Sequence, residues 1–313
     1  MVNGVLNIYK EPGFTSHDVV AKLRGIVGQK KIGHTGTLDP DAEGVLGVCL
    51  GAATRICDMI TDAEKEYEAT LLLGVRTDTL DTSGQVLEER PTEGISEQDL
   101  RNCIESFTGE IEQIPPMYSA IKVGGKKLYE IARAGETIER KARKVTIHSI
   151  DIVKIDLPEC VIRVSCSKGT YIRTLCDDIG GKLKCGGCMK HLIRTKVGQF
   201  RAEDALKLSE IETIVKEGRI GEILIPPVDM FGGLRKVTVT DAGSKKASNG
   251  NMLAVSDVLI RTGKPEDEDG GLHNISFADN EEFTVTDKDG FFFGIYRYRA
   301  SDDTFKPVKM FLC

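Results

Sequence analysis

Gly33-His34-Thr35-Gly36-Thr37-Leu38-Asp39-Pro40-Asp41-Ala42-Glu43-Gly44-Val45-Leu46 is the stretch of this 313-residue chain richest in residues that carry chemistry. Glycines 33, 36, 44 and 47 fall within fifteen residues, which permits tight turns or close approach of a ligand to the backbone. Acids alternate at 39, 41 and 43. Asp-x-Asp-x-Glu-Gly copies the opening of an EF-hand loop, but the twelfth position is Leu50, where that loop needs a bidentate glutamate, so calcium is excluded. A carboxylate here is either a nucleophile or general base, or a surface turn in which Asp caps its own backbone. Asp39 precedes Pro40, which biases it toward extended backbone and presents its side chain from a loop. The pattern alone does not separate Asp39 from Asp41 or Glu43.

Before this stretch, Val19, Val20, Leu23, Ile26 and Val27 recur at helical spacing, with Ser16 as the expected N-cap and Gly28 as the C-terminal cap. Ala69–Leu73 reads as a buried strand. A second helix is expected from Ser96, with Asp99 completing a capping box. Val145–Ile155 and Val161–Cys166 read as strands, then Thr170–Leu183 as a helix entered through the turn Lys168-Gly169. Pro226-Pro227 and Gly232-Gly233 mark a boundary. Beyond it, Lys236–Thr240, Glu282–Thr286, Phe291–Tyr298 and Val308–Leu312 are strand-like, as in a small β-barrel. The expected organisation is a mixed α/β unit, residues 1–230, followed by a β-rich unit, residues 231–313.

Apolar residues make up 40% and charged residues 29%, the composition of a globular protein with ample core. Nothing approaches the roughly 20 consecutive apolar residues of a membrane span. No basic region followed by an apolar run opens the chain, so the nine cysteines read as reduced thiols of a cytoplasmic protein. The formal net charge of −6 argues against a nucleic-acid partner until its distribution is considered. Val19–Leu38 carries four basic residues and no acid; Met117–Ile147 carries eight basic residues and three acids; Lys182–Arg201 carries six basic residues and no acid. Lys264–Gly290 holds nine acids and two lysines. The acidic total therefore hides three basic segments suited to a polyanion, against the plainer reading of solvated surface.

No dinucleotide fingerprint follows a strand, and no P-loop is present, since Gly125-Lys126 is followed by Lys127. Cys185-Gly186-Gly187-Cys188 has metal or redox spacing but no second pair, and two plain thiols are expected. Ser167–Arg173 joins a strand end to a helix start, where backbone amides favour an anion. Arg173 in that first turn opposes the helix dipole and calls for a carboxylate or phosphate; an ordinary salt bridge would satisfy it. Tyr67 opens a strand, the place of a half-buried packing residue.

Taken together these residues resemble the bacterial tRNA pseudouridine-55 synthases of the TruB type. Gly33–Pro40 followed by Ala42-x-Gly44-Val45-Leu46 is similar to that family's catalytic motif, and Gly4-Val5-Leu6-x-x-x-Lys10-x-x-Gly13-x-Thr15-Ser16 to its first motif. Lys65-x-Tyr67, Leu73-Gly74-x-Arg76-Thr77-Asp78-Thr79-x-Asp81, Ile114-Pro115-Pro116-x-Tyr118-Ser119-Ala120-x-Lys122 and Cys166–Arg173 follow in the family's order. The C-terminal part resembles the PUA RNA-binding barrel through Asp289-Gly290 and Lys306–Lys309.

The resemblance implies an α+β fold: a largely antiparallel β-sheet catalytic domain flanked by helices, with a small PUA-like barrel. It implies that Asp39 is the catalytic aspartate, that Tyr67 stacks on the target uracil, and that Arg173 pairs with Asp39, with Asp81 as a further partner. It places Leu192 in the uracil pocket and has His34 fill the space left in the RNA stack. The substrate implied is the T-arm of tRNA, and the reaction an isomerisation without cofactor or metal. The basic segments 117–147 and 182–201 then face tRNA, and the guanidinium of Arg173 is expected to lower the pKa of Asp39. The acid-rich segment 264–290 implies weak docking by the barrel. A monomer without obligate protein partner is expected, in place of the related RNA-guided enzymes of larger particles. The alternative is a non-catalytic tRNA-binding or tRNA-folding protein of the same fold.

Overall fold

The computed structural model describes residues 2–259 and 277–311. Residues 264–276 of the acidic segment, and Leu312 at the end of the last expected strand, lie outside the described residues. In chain order the strands are β1 (Gly4–Lys10), β2 (Ile32–His34), β3 (Glu43–Leu50), β4 (Lys65–Leu73), β5 (Val75–Thr77), β6 (Val86–Glu89), β7 (Gly109–Gln113), β8 (Lys122–Val123), β9 (Lys126–Lys127), β10 (Arg143–Asp156), β11 (Glu159–Cys166), β12 (Gly187–Val197) and β13 (Phe200–Arg201), then β14 (Arg235–Val239), β15 (Leu253–Ala254), β16 (Val258–Leu259), β17 (Glu282–Thr286), β18 (Phe292–Arg299) and β19 (Thr304–Met310). The α-helices are α1 (Ser16–Val27), α2 (Cys57–Thr61), α3 (Glu97–Glu105), α4 (Leu128–Arg133), α5 (Ile172–Lys182), α6 (Leu208–Lys216) and α7 (Asp241–Ser248).

Nine strands make the first sheet, in the order β1-β3-β12-β4-β11-β10-β7, with β2 on β3 and β13 on β12. Its pairings are antiparallel except the short parallel contact of β12 with β3. β4 shows how sequence sets this layer: Tyr67, Ala69, Leu71 and Leu73 point into the core, alternating with the more open Glu66, Glu68, Thr70 and Leu72. Helices α3 and α5 cover that face, their Leu100, Ile104, Leu175 and Ile179 packing on the inward residues of β4, β11 and β12. α1 and α6 cover β1 and β3 through Val19, Leu23 and Ile211. The expected α+β class is the one observed.

Element ends follow local chemistry. The N-cap of α1 is Thr15, not the expected Ser16: the Thr15 hydroxyl accepts from the Asp18 amide, and the Asp18 carboxylate accepts from the Thr15 amide. Ser16 is buried and binds Leu38 instead. Gly28 closes the helix in the left-handed region at φ 70°. Ser96 and Asp99 form the expected capping box of α3. α5 starts at Ile172, two residues beyond the expected Thr170, because Thr170 bonds back to the Ser167 carbonyl.

Among the described residues six strands, β15-β19-β18-β17-β14-β16, curl into a barrel-like sheet around Val237, Phe283, Tyr296 and Phe305. β19 begins at Thr304, earlier than the expected Val308, because Phe305 is fully buried in that core. Phe231, Phe292 and Phe311 stack with centroids 4.9 to 6.0 Å apart. With Val5, Val45 and Cys49 they form one apolar cluster that seats the second sheet on the first.

Candidate functional site

The Asp39 loop, residues 35–42, runs from β2 to β3 and is held chiefly through its backbone. Thr35 is fully buried, its amide and hydroxyl both donating to the Gly47 carbonyl at 2.9 and 3.2 Å. A side chain at Gly47 would sit 2.6 Å from that hydroxyl, so glycine is required there. The Leu38 amide donates to the Ser16 hydroxyl at 2.9 Å, and the Ala42 amide closes a turn on the Asp39 carbonyl at 3.2 Å. Lys10, fully buried at the end of β1, donates from Nζ to the carbonyls of Glu11, Pro40 and Ala42 at 3.1, 2.9 and 2.5 Å. Burial pulls its pKa down to about 8.

Arg173, in the first turn of α5, meets this loop. Its Nη2 donates to Asp39 Oδ1 and its Nε lies against Asp39 Oδ2, each at 3.0 Å, the two-pronged pairing of a guanidinium with an ionised carboxylate. Nη1 donates to the Thr79 carbonyl at 3.0 Å and lies 3.5 Å from Asp81 Oδ2; Nη2 also donates to the Tyr118 carbonyl at 2.9 Å. Asp39 is therefore the carboxylate that the helix-start arginine calls for. Asp81 is fixed in turn: its Oδ1 accepts from the hydroxyls of Thr79 and Ser83, both at 2.6 Å.

The electrostatics of Asp39 differ from the expectation. Although 37% of its side chain is exposed, burial pushes its pKa above the ordinary aspartate range. Arg173 pulls downward, as expected, but desolvation outweighs that pull and the Asp81 carboxylate adds to the rise.

Tyr67 and Leu192 point from β4 and β12 into one apolar cluster with Leu38, directly before Asp39 in the loop. Tyr67 is 9% exposed, and burial pushes its hydroxyl upward while the Arg194 cation opposes. His34 is not joined to Asp39 or Tyr67 by a hydrogen bond or ring contact among the described residues. Its ring meets that of His17 edge-on at 5.1 Å, its Nδ1 is buried without a partner, and burial pulls its pKa down.

Two cations at the site were not singled out from sequence. From sequence alone Lys10 is a motif position and Arg194 one of the six charges of the basic segment 182–201. Arg194 is 1% exposed, so that part of the 182–201 expectation is wrong: on a β-strand inside a sheet, alternation turns it inward with Leu192. The signal for both was a charged residue in an inward register of an apolar strand. Cys185 and Cys188 are buried thiols, Cys188 within β12 and Cys185 donating to the Gly186 carbonyl at 3.1 Å.

Comparison with known proteins adds the following. Residues 24–172 match the model of the TruB family pseudouridylate synthase N-terminal domain, and residues 173–230 that of the tRNA pseudouridylate synthase B C-terminal domain. The tRNA pseudouridine synthase B of Lachnoclostridium phytofermentans is 51% identical over 319 residues, covering 99% of this chain and 100% of that protein. The tRNA pseudouridine synthase B of Bacillus pumilus is 40% identical over 317 residues, covering 99% and 98%. Among solved structures, a chain of an H/ACA RNP bound to a substrate RNA containing 2′-deoxyuridine superposes with a TM-score of 0.71 at 23% identity, over 99% of this chain and 85% of that one; this likeness is one of fold.

Proposed function

The chain belongs to the TruB family of pseudouridylate synthases, and from that membership we propose that it converts uridine 55 in the T-arm of tRNA to pseudouridine, with Asp39 as the catalytic carboxylate. The observation that carries the assignment of Asp39 is its two-pronged grip by Arg173, itself only 6% exposed. Of the acids at 39, 41 and 43, only Asp39 has such a partner among the described residues: Glu43, at the start of β3, binds the exposed His191 and the Tyr9 hydroxyl, and Asp41 takes part in no ion pair.

The reaction breaks the bond between uracil N1 and ribose C1′, turns the base and joins C5 to C1′; the C5 proton leaves to water and N1, freed of the sugar, takes up one proton in its place. Nothing is oxidised or reduced, and no phosphoryl group moves. The uridine must first leave its stack, at a few kcal/mol. In our reading His34 fills the space it leaves, Tyr67 stacks on the extruded uracil, and Leu192 forms a wall of its pocket. Asp39, aimed by Arg173 and with Asp81 holding the arginine from behind, supplies the carboxylate that opens the reaction.

Residues 1–230 form the catalytic unit in this reading and 231–313 an accessory PUA-like RNA-binding unit. The exposed cations of 117–147 meet the tRNA backbone. The protein acts alone, as a cytoplasmic monomer; its eight described cysteines are free thiols, in keeping with a reducing compartment.

The test uses chelator-treated protein and a tRNA transcript tritiated at uracil C5. Release of label by wild type, lost in Asp39→Asn and dependent on the T-arm uridine, is the expected result. Tight tRNA binding without release by wild type would replace the proposal with a binding or folding role. Equal release by both proteins would keep the reaction and remove Asp39 from it.

A further inference from the structure

Arg194 is the bulkiest fully buried side chain among the described residues. It takes part in no ion pair with any described carboxylate. A guanidinium stays protonated in a protein interior, and burying its charge costs several kcal/mol unless hydrogen bonds replace its water. Those replacements are three backbone carbonyls, two in the Asp39 loop and one in the strand it leads into. Nε donates to Val45 O at 2.8 Å, Nη1 to Thr37 O at 3.3 Å and Nη2 to Gly36 O at 3.2 Å. Two of these carbonyls precede the catalytic aspartate and one follows it.

The backbone of Arg194 occupies a matching position. β12 lies between β3 and β4, and Arg194 stands in register with Gly44 of the first and Tyr67 of the second. At Gly44, whose φ is +102°, a Cβ would overlap the Arg194 carbonyl, so the strand that leaves the Asp39 loop is pressed directly on this residue. The cation also pulls the Tyr67 pKa down against the effect of burial, in keeping with the register pairing of the two residues. One residue thus pairs in register with the tyrosine expected to stack on the base and binds both flanks of the loop that presents the carboxylate. Core filling alone does not account for a cation here, because apolar side chains of similar volume often stabilise an interior as well as a buried charge or better.

We propose that Arg194 is a positioning residue for the isomerisation, fixing the Asp39 loop and Tyr67 as one unit. The inference rests on the function proposed above. It differs in kind from the role of Arg173, which addresses the carboxylate itself, whereas Arg194 addresses the backbone that carries it and the strand that presents Tyr67.

Tritium release by wild type, Arg194→Lys and Arg194→Met tests it, after circular dichroism has established which variants fold. For Arg194→Met, kcat falls about 100-fold, as expected for a small misplacement of a reacting group, with KM for tRNA unchanged. Arg194→Lys recovers part of the loss, since one ammonium cannot span three carbonyls. Amide hydrogen exchange over residues 36–45 rises in both variants. A folded variant with wild-type kcat, or a loss confined to KM, overturns the proposal. So does failure of both variants to fold, which would make Arg194 a core residue. Absence of release by wild type itself would overturn the proposed function, a separate outcome.

Discussion

Arg173 grips Asp39 through both carboxylate oxygens, at 3.0 Å each, across 134 residues of sequence. The same guanidinium collects the carbonyls of Thr79 and Tyr118 and the carboxylate of Asp81, so three distant segments depend on one side chain. Lysine at this position would offer a compact ammonium that cannot pair both oxygens and reach two carbonyls. Arg173→Lys is expected to lower kcat by about 100-fold or more. Arg173→Ala is expected to cost about 2–4 kcal/mol of stability, less than a wholly buried pair because Asp39 is partly exposed. Tritium release and urea denaturation measure the two effects; a lysine variant with wild-type turnover would refute the role of the fork.

The raised pKa of Asp39 has consequences of opposite sign for activity and stability. Its folded state holds the carboxyl proton more tightly than the unfolded chain does, so stability from this group is present in acid and is lost as pH rises through the folded pKa. Activity needs the ionised form and rises as pH passes the folded pKa, above the usual aspartate range, where the loss of stability that began in that range is completed. Asp39→Asn should therefore be inactive yet gain thermal stability relative to wild type as pH increases. Melting curves of both proteins from acid to neutral pH decide this, and a deficit of the variant that widens with pH would contradict it.

Much of this arrangement was legible in sequence, and the remainder was hidden for identifiable reasons. The Ser96–Asp99 capping box and the Gly28 cap depend on neighbours within four residues, so local pattern sufficed. The meeting of Asp39 with Arg173 came from family resemblance; spacing gave only an arginine lacking an anion and three equivalent acids. Arg194 lies in the core and not on the expected basic surface, because a count of charges along a segment carries no direction. Alternation along β12, with Leu192 and Arg194 both buried, supplies that direction once the strand register is known. The rise in the Asp39 pKa was hidden because desolvation depends on packing by α5 and the 79–81 and 118 segments, none adjacent to it in sequence.

The two basic segments assigned to tRNA should contribute unequally. Lys122, Lys126, Lys141 and Arg143 are exposed, and no ion pair with a described carboxylate occupies them. In the other segment Arg194 is buried, Lys190 pairs with Glu159 at 2.5 Å, and Lys182 donates to Ser106. Each phosphate contact adds roughly 0.7–0.9 to the slope of log affinity against log salt. Changing Lys122, Lys126 and Lys141 to Gln should reduce that slope by about 2–3, whereas changing Lys182 and Lys190 should alter it by about 1 or less. Filter binding of tRNA over a range of salt measures both, and equal losses would return the 182–201 segment to the interface.

Lys10 sets a limit on the alkaline side. Its pKa is pulled from the ordinary 10.5 to about 8, so the folded state holds this proton less tightly than the unfolded chain. Stability from this group therefore increases as pH rises from about 8 toward 10.5. The Asp39 loop has the opposite requirement: the carbonyls of Glu11, Pro40 and Ala42 engage three donors of a protonated ammonium, and the neutral amine has one fewer. Turnover should fall above about pH 8 with no matching drop in melting temperature. Ordinary alkaline unfolding would lower both together, so the divergence is diagnostic. In Lys10→Met the loop lacks its clamp at every pH, and kcat should settle at a lower value without that alkaline fall. A limb that persists unchanged in the methionine variant would assign it to another group and leave Lys10 with its backbone contacts alone.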